Sequence, residues 1–211
     1  MKKTYSHKIV KALSRMHEPT TELDFTSPYE LLVAVILSAR NKDKRVNVVT
    51  SKLFKEANTP KALIALGEEK LKGHLRTLGL HNAKTNNILE MSKILVRRFH
   101  SSVPSKLEDL IELPGVGRKT AQVVLNVLYS APYISVDTHV LRLANRIGFS
   151  KGHTPLMVER DMVKAIPKEY HSTISRILVR HGRYICVARS PKCQQCPLKE
   201  WCLFYRKNVE I

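Results

Sequence analysis

The chain has 211 residues, 43% of them hydrophobic, and carries 36 Lys and Arg against 18 Asp and Glu, a formal net charge of +18 with a pI near 10.0. That apolar content excludes wholesale disorder and suffices for one or two modest domains with real cores. The longest apolar run, Leu31 to Leu37, is too short to cross a bilayer, and no apolar stretch follows the basic Met1-Lys2-Lys3 start as it would in a secretory signal. A charge of this sign and size makes a polyanion the first partner to consider.

The periodicity is helical nearly throughout. Ser27-Pro28-Tyr29-Glu30 is a capping box with proline at the first helical position. It opens the run Leu31–Leu37, apolar on every side and therefore a central, buried helix. Thr59-Pro60 is a second start, and Thr77-Leu78-Gly79-Leu80-His81-Asn82-Ala83-Lys84 reads either as an internal repeat, a weaker echo of the Leu110–Ala121 stretch with one glycine and no proline, or as a glycine C-cap before a new helix. Residues 84–99 place Ile88, Met91, Leu95 and Phe99 at helical spacing. Ser105-x-x-Glu108 is a second capping box, Thr154-Pro155 another proline start, and residues 170–183 carry Ile174, Ile177 and Leu178 on one face. Tyr133-Ile134-Ser135-Val136 is the best strand candidate and has no partner. The fold class is all-α, with about ten helices and short loops; pattern alone does not place domain boundaries.

Leu110–Ala121 is the most informative stretch. A helix ends, Pro114-Gly115-Val116-Gly117 makes a tight turn, and Arg118 begins a helix whose stripe is Ala121, Val124, Leu125 and Leu128. Gly115 and Gly117 permit backbone angles that a side chain forbids and let a phosphate approach the N–H groups of the turn. Val116 is placed to plug the space between the two helices. This is a helix-hairpin-helix, a grip on the nucleic-acid backbone that does not depend on base sequence.

Lys119 falls in the first turn of the new helix, opposite the apolar stripe. Crowding by Arg118 and partial desolvation would favour its neutral, nucleophilic amine; on this helix alone, a phosphate-contacting or solvated lysine is the simpler reading. Asp137 precedes Val140, Leu143, Ala144 and Ile147 as an N-cap, and capping alone accounts for it unless an amine is near. All four cysteines lie in Cys186-x6-Cys193-x2-Cys196-x5-Cys202. Soft ligands at that density bind zinc or an iron–sulfur cluster, and spacing leaves the two open. Arg189 and Lys192, between the first two cysteines, present charge to a phosphate or to solvent.

Together these features resemble the endonuclease III family of DNA repair glycosylases, within the helix-hairpin-helix glycosylase superfamily. The resemblance runs from Pro19-Thr20-Thr21-Glu22-Leu23 through Val136-Asp137-Thr138-His139 to Cys202, and rests chiefly on Leu113–Ala121 combined with the cysteine spacing. It implies two helical domains flanking a DNA-binding cleft: a six-helix bundle over residues 22–132, and a domain of residues 1–21 with 133–211 that holds a [4Fe–4S] cluster on Cys186, Cys193, Cys196 and Cys202. The implied substrate is damaged double-stranded DNA carrying an oxidised pyrimidine or an abasic site, with the damaged nucleotide flipped out of the stack. Lys119 is implied as nucleophile at the sugar, Asp137 as its carboxylate partner, and β-elimination through a Schiff base as the strand cut, with no catalytic metal.

The resemblance also implies DNA contacts by Gly115, Val116, Gly117 and Arg118, insertion of Leu80 into the opposite strand, and filling of the vacated space by Arg40. Arg40 stands where the family usually carries glutamine, in Ser38-Ala39-Arg40-Asn41-Lys42-Asp43. Arg189 and Lys192 add contacts from the cluster loop. A monomer in the cytoplasm, associated with the nucleoid and not with membrane, is expected. The alternatives are a monofunctional mismatch glycosylase of the same superfamily, against which Lys119 and the short C-terminal tail argue, and a non-catalytic DNA-binding module.

Overall fold

A computed structural model describes residues 3–208. It contains twelve α-helices and three short 3-10 turns, and no strand among the described residues. Residues 133–136 run extended without a partner, and their alternation serves to bury Ile134 and Val136. The chain divides into two compact units, one from Thr21 to Tyr129 and the other from residues before Thr21 together with those from Ser130 onward. The sequence expectation set these limits at 21/22 and 132/133. Ser130, at φ 51, ends the last helix of the first unit.

The Thr21–Tyr129 unit holds α2 (Pro28–Ser38), α3 (Asp43–Glu56), α4 (Pro60–Leu66), α5 (Glu68–Leu75), α6 (His81–Phe99), α7 (Leu107–Ile111) and α8 (Arg118–Tyr129). That is seven α-helices where six were expected, because Gly67 at φ 82 breaks α4 from α5. With its apolar run Leu31–Leu37, α2 is the axis: every residue from Tyr29 to Leu37 is buried, and α3, α6 and α8 pack around it. Ile88, Met91 and Leu95 of α6 and Ala121, Val124 and Leu125 of α8 close on it, each large side chain contributing about 1.5–3 kcal/mol by leaving water.

Local chemistry sets the helix starts. Ser27 Oγ accepts from Glu30 N at 3.2 Å, while the Glu30 carboxylate accepts from Thr26 N and Thr26 Oγ1, so the reciprocal half of the capping box closes one residue earlier than the standard form. Thr59 and Thr154 accept from Ala62 N and Met157 N in the same manner. The Ser105-x-x-Glu108 expectation is corrected. Lys106 is the N-cap and makes no side-chain cap bond, since beginning α7 at Leu107 is what buries both Leu107 and Leu110.

The second unit holds α1 (Lys3–Met16), α9 (Thr138–Ile147), α10 (Pro155–Ala165), α11 (His171–Tyr184) and α12 (Leu203–Asn208). Its core joins Ile9, Val10 and Leu13 of α1 to Val140, Leu143 and Ile147 of α9 and Ile174, Ile177 and Leu178 of α11. Cys186, Cys196 and Cys202 pack against the margin of that core, so the cysteine segment is tied to the unit's hydrophobic centre.

Candidate nucleic-acid interface and cluster site

α7, the turn and α8 form the predicted hairpin. Leu113 N donates to Leu110 O at 3.2 Å and Val116 N to Leu113 O at 3.0 Å, which fold the chain back on itself. Gly115 lies at φ 78, in the left-handed region. A Cβ there would also stand 3.0 Å from the Asn87 side chain of α6. Gly117 departs from expectation: its φ is not left-handed, and a Cβ would meet nothing within 4 Å. Its lack of a side chain leaves open space before the first N–H groups of α8, which no preceding turn of helix satisfies. Val116 is 4% exposed and its N–H is spent inside the turn, so it holds the turn's shape as a plug rather than facing outward.

Arg118 and Lys119 are exposed in the first turn of α8, opposite the buried Ala121 and Leu125. Asp137 is the N-cap of α9, half-buried, with Oδ1 accepting from Val140 N at 2.8 Å. Arg40 and Leu80 both sit in exposed turns with left-handed backbones, at φ 59 and φ 61, and Leu80 is 54% exposed. Leu80 is also the N-cap of α6, and Gly79 before it is not left-handed, so the glycine-cap reading of this turn does not hold. Arg189 and Lys192 are exposed on the loop between Cys186 and Cys193.

The four cysteines line one small cavity, with Ile185 and Phe204 among its walls. Four soft sulfur donors around one cavity suit iron, and an iron–sulfur cluster would take these cysteines as its ligands. Burial, with the neighbouring thiols adding repulsion, pushes Cys196 up to about 11, and Cys193 and Cys202 are raised for the same leading reason.

Sequence reasoning missed the residues that shape this cavity. Arg146 of α9 donates through Nη1 to Cys186 Sγ at 3.4 Å and Val187 O at 2.8 Å, and through Nη2 to Ala188 O at 2.8 Å. Its guanidinium lies 4.5 Å above the Phe204 ring. Arg142 donates to Gly182 O and Cys186 O. His181 of α11 stands 3.4 Å from Cys196 Sγ through Nε2 and 2.9 Å from His17 Nε2 through Nδ1. Burial, then the adjacent His17, brings His181 down to about 4, so a neutral imidazole sits beside the sulfur. The only sequence signal for Arg146 is its place on the polar side of α9; its target lies 40 residues away.

Comparison with known proteins agrees with this geometry. Residues 33–168 match the family described as HhH-GPD superfamily base excision DNA repair protein, and residues 186–202 match the iron-sulfur binding domain of endonuclease III. The chain is 45% identical over 200 residues to endonuclease III of Rickettsia prowazekii, covering 94% of each chain. It is 44% identical over 208 residues to that of Escherichia coli K12, covering 97% of this chain and 98% of the other. A trapped endonuclease III–DNA covalent intermediate superposes with a TM-score of 0.91 at 39% identity over 98% of each chain, and a non-covalent endonuclease III–DNA complex with 0.92 at 38% over all of each. A thermostable thymine-DNA glycosylase, at 20% identity and a TM-score of 0.85, shares the fold. No helix among the described residues is long and apolar enough to cross a membrane. The cofactor of the chain is a [4Fe–4S] cluster, and the chain belongs to the HhH-GPD superfamily of base excision DNA repair proteins and, within it, to the endonuclease III family of DNA glycosylase/AP lyases.

Proposed function

We propose that this chain excises oxidised pyrimidines from duplex DNA with Lys119 as nucleophile and Asp137 as its carboxylate partner. The observation that carries the proposal is the position of Lys119: exposed, in the first turn of α8, directly beyond the Gly115–Gly117 turn. A phosphate held by the turn and the helix start brings the sugar chain past that amine. Gly115 and Gly117 admit the phosphate, Arg118 adds charge, and Val116 keeps the turn in shape.

The neutral Lys119 amine attacks C1′ of the extruded nucleotide, and the C1′–N bond to the base breaks with the base leaving protonated. Asp137 stabilises cationic character on the sugar and carries protons. Ring opening gives an imine between Lys119 Nζ and C1′. That imine acidifies the C2′ hydrogen, water takes that proton, the C3′–O bond breaks with the 3′-phosphate leaving, and hydrolysis of the imine returns the free amine. The strand is cut on the 3′ side.

Leu80 enters the opposite strand and Arg40 fills the space the flipped nucleotide leaves. Arg189 and Lys192 neutralise flanking phosphates. Cys186, Cys193, Cys196 and Cys202 hold the [4Fe–4S] cluster, which fixes that loop and adds local charge. The protein acts as a monomer on nucleoid DNA in the cytoplasm, one chain supplying every group named.

Borohydride reduction in the presence of abasic duplex tests the nucleophile. Wild type yields a covalent adduct and Lys119→Gln yields none; an undiminished adduct in that variant removes Lys119 from the role. Asp137→Asn retains the α9 cap, because asparagine caps as well as aspartate, and should slow base release by about 10²–10⁴-fold with DNA binding intact. Near-normal release would reject a catalytic Asp137.

A further inference from the structure

Arg40 and Leu80 belong to different connections, the α2–α3 loop and the α5–α6 turn. Each is a non-glycine residue in the left-handed region, a conformation the chain adopts only where the surroundings enforce it. The enforcement is visible. Asn41, next to Arg40, accepts at Oδ1 from Gly79 N at 3.0 Å, the residue next to Leu80. Its Nδ2 donates to Leu37 O at 2.9 Å and Ala39 O at 3.2 Å. Lys84, in the first turn of α6, reaches the same two carbonyls through Nζ, at 2.8 Å and 2.6 Å.

Lys84 is 4% exposed, a rare position for a lysine. Its charge rests at the C-terminus of α2, the end that favours a cation. The loop after α2 does not need either side chain to close: Ala39 N already returns to Ile36 O and Asn41 N to Ser38 O. What the two side chains add is the tie from that loop to Gly79 and α6.

We propose that Asn41 and Lys84 are positioning residues that fasten Arg40 and Leu80 into one two-pronged body, so that both enter the duplex together at a lesion. The inference rests on the reading that Arg40 and Leu80 insert into DNA. Two independent loops would each lose conformational freedom on insertion; a body fastened in the free protein has already lost it.

Single-turnover excision from a duplex carrying one oxidised pyrimidine tests the inference beside cleavage of a single-stranded abasic oligonucleotide, which needs Lys119 but no opposite strand. Asn41→Ala should lower the duplex rate about tenfold and leave single-strand cleavage within about twofold. Added to Leu80→Ala it should cause little further loss, because residues acting as a unit are not additive. Lys84→Gln, which keeps a donor, should fall between wild type and Lys84→Met; should Lys84→Met fail to fold, the Asn41 series decides. Equal losses on both substrates, or multiplicative losses with Leu80→Ala, would overturn the proposal. If Arg40→Ala and Leu80→Ala themselves retain full duplex activity, the insertion reading fails; if they lose it while Asn41→Ala does not, the positioning role alone fails.

Discussion

The two turns at the N-termini of α6 and α8 use one backbone device for opposite ends. Each puts a left-handed residue just before its helix, Leu80 at φ 61 and Gly115 at φ 78. At Gly115 the side chain is absent, a Cβ would stand 3.0 Å from Asn87, and two residues on Gly117 leaves the backbone open. At Leu80 a large apolar side chain is kept and held out to solvent, although glycine would relieve the backbone. A surface that receives a phosphate must be bare, whereas one that displaces a base must protrude. The chain bears the conformational cost at the second and avoids it at the first.

That contrast can be broken or sharpened by exchanging the residues. Gly115→Leu should have the largest effect, abolishing measurable duplex binding, since the branched side chain meets Asn87 and covers the turn; calorimetry or fluorescence anisotropy would show it. Gly115→Ala is gentler. It should destabilise the fold by about 1–2 kcal/mol through left-handed strain, weaken binding to any duplex, and flatten the log–log salt dependence by about one unit. Leu80→Gly should leave both binding to undamaged duplex and its salt slope unchanged, while excision from lesion duplex falls about tenfold. Its stability in denaturant should stay within about 1 kcal/mol of wild type or rise, because relief of strain offsets the added freedom of the unfolded chain. An equal loss of undamaged-duplex binding in both glycine-site and leucine-site variants would erase the distinction between grip and wedge.

Much of the hairpin was readable in the sequence because its causes are local. Proline and two glycines within four residues leave few backbone solutions, and the stripe at Ala121, Val124 and Leu125 orients the helix that follows. Ser27, Thr59 and Thr154 announced helix starts for the same reason: each bonds an N–H three residues on. Ser105 broke the rule because burial of Leu107 moved the start of α7, and a tertiary gain outweighs a single cap bond. Gly79 was a fair signal for a left-handed position, yet the left-handed residue is Leu80, and Gly79 instead donates its N–H to Asn41.

The cluster site divides in the same way. Four cysteines in 17 residues declare a soft-ligand site, but their spacing left zinc and iron–sulfur open, and the family resemblance made the choice. His181 and Lys84 carried no local signal, and Arg146 only its place on the polar side of α9. One arginine or lysine among 36 looks like any other until the fold buries it against a carbonyl or a sulfur.

The central claim is that the amine of Lys119 joins covalently to a deoxyribose carbon. Mass spectrometry of the proteolysed, borohydride-reduced adduct with abasic duplex tests it most directly. The sugar remnant should be found on the peptide from the start of α8, with Lys119 as the modified residue. Its recovery on any other lysine of the wild-type protein would contradict the proposed chemistry.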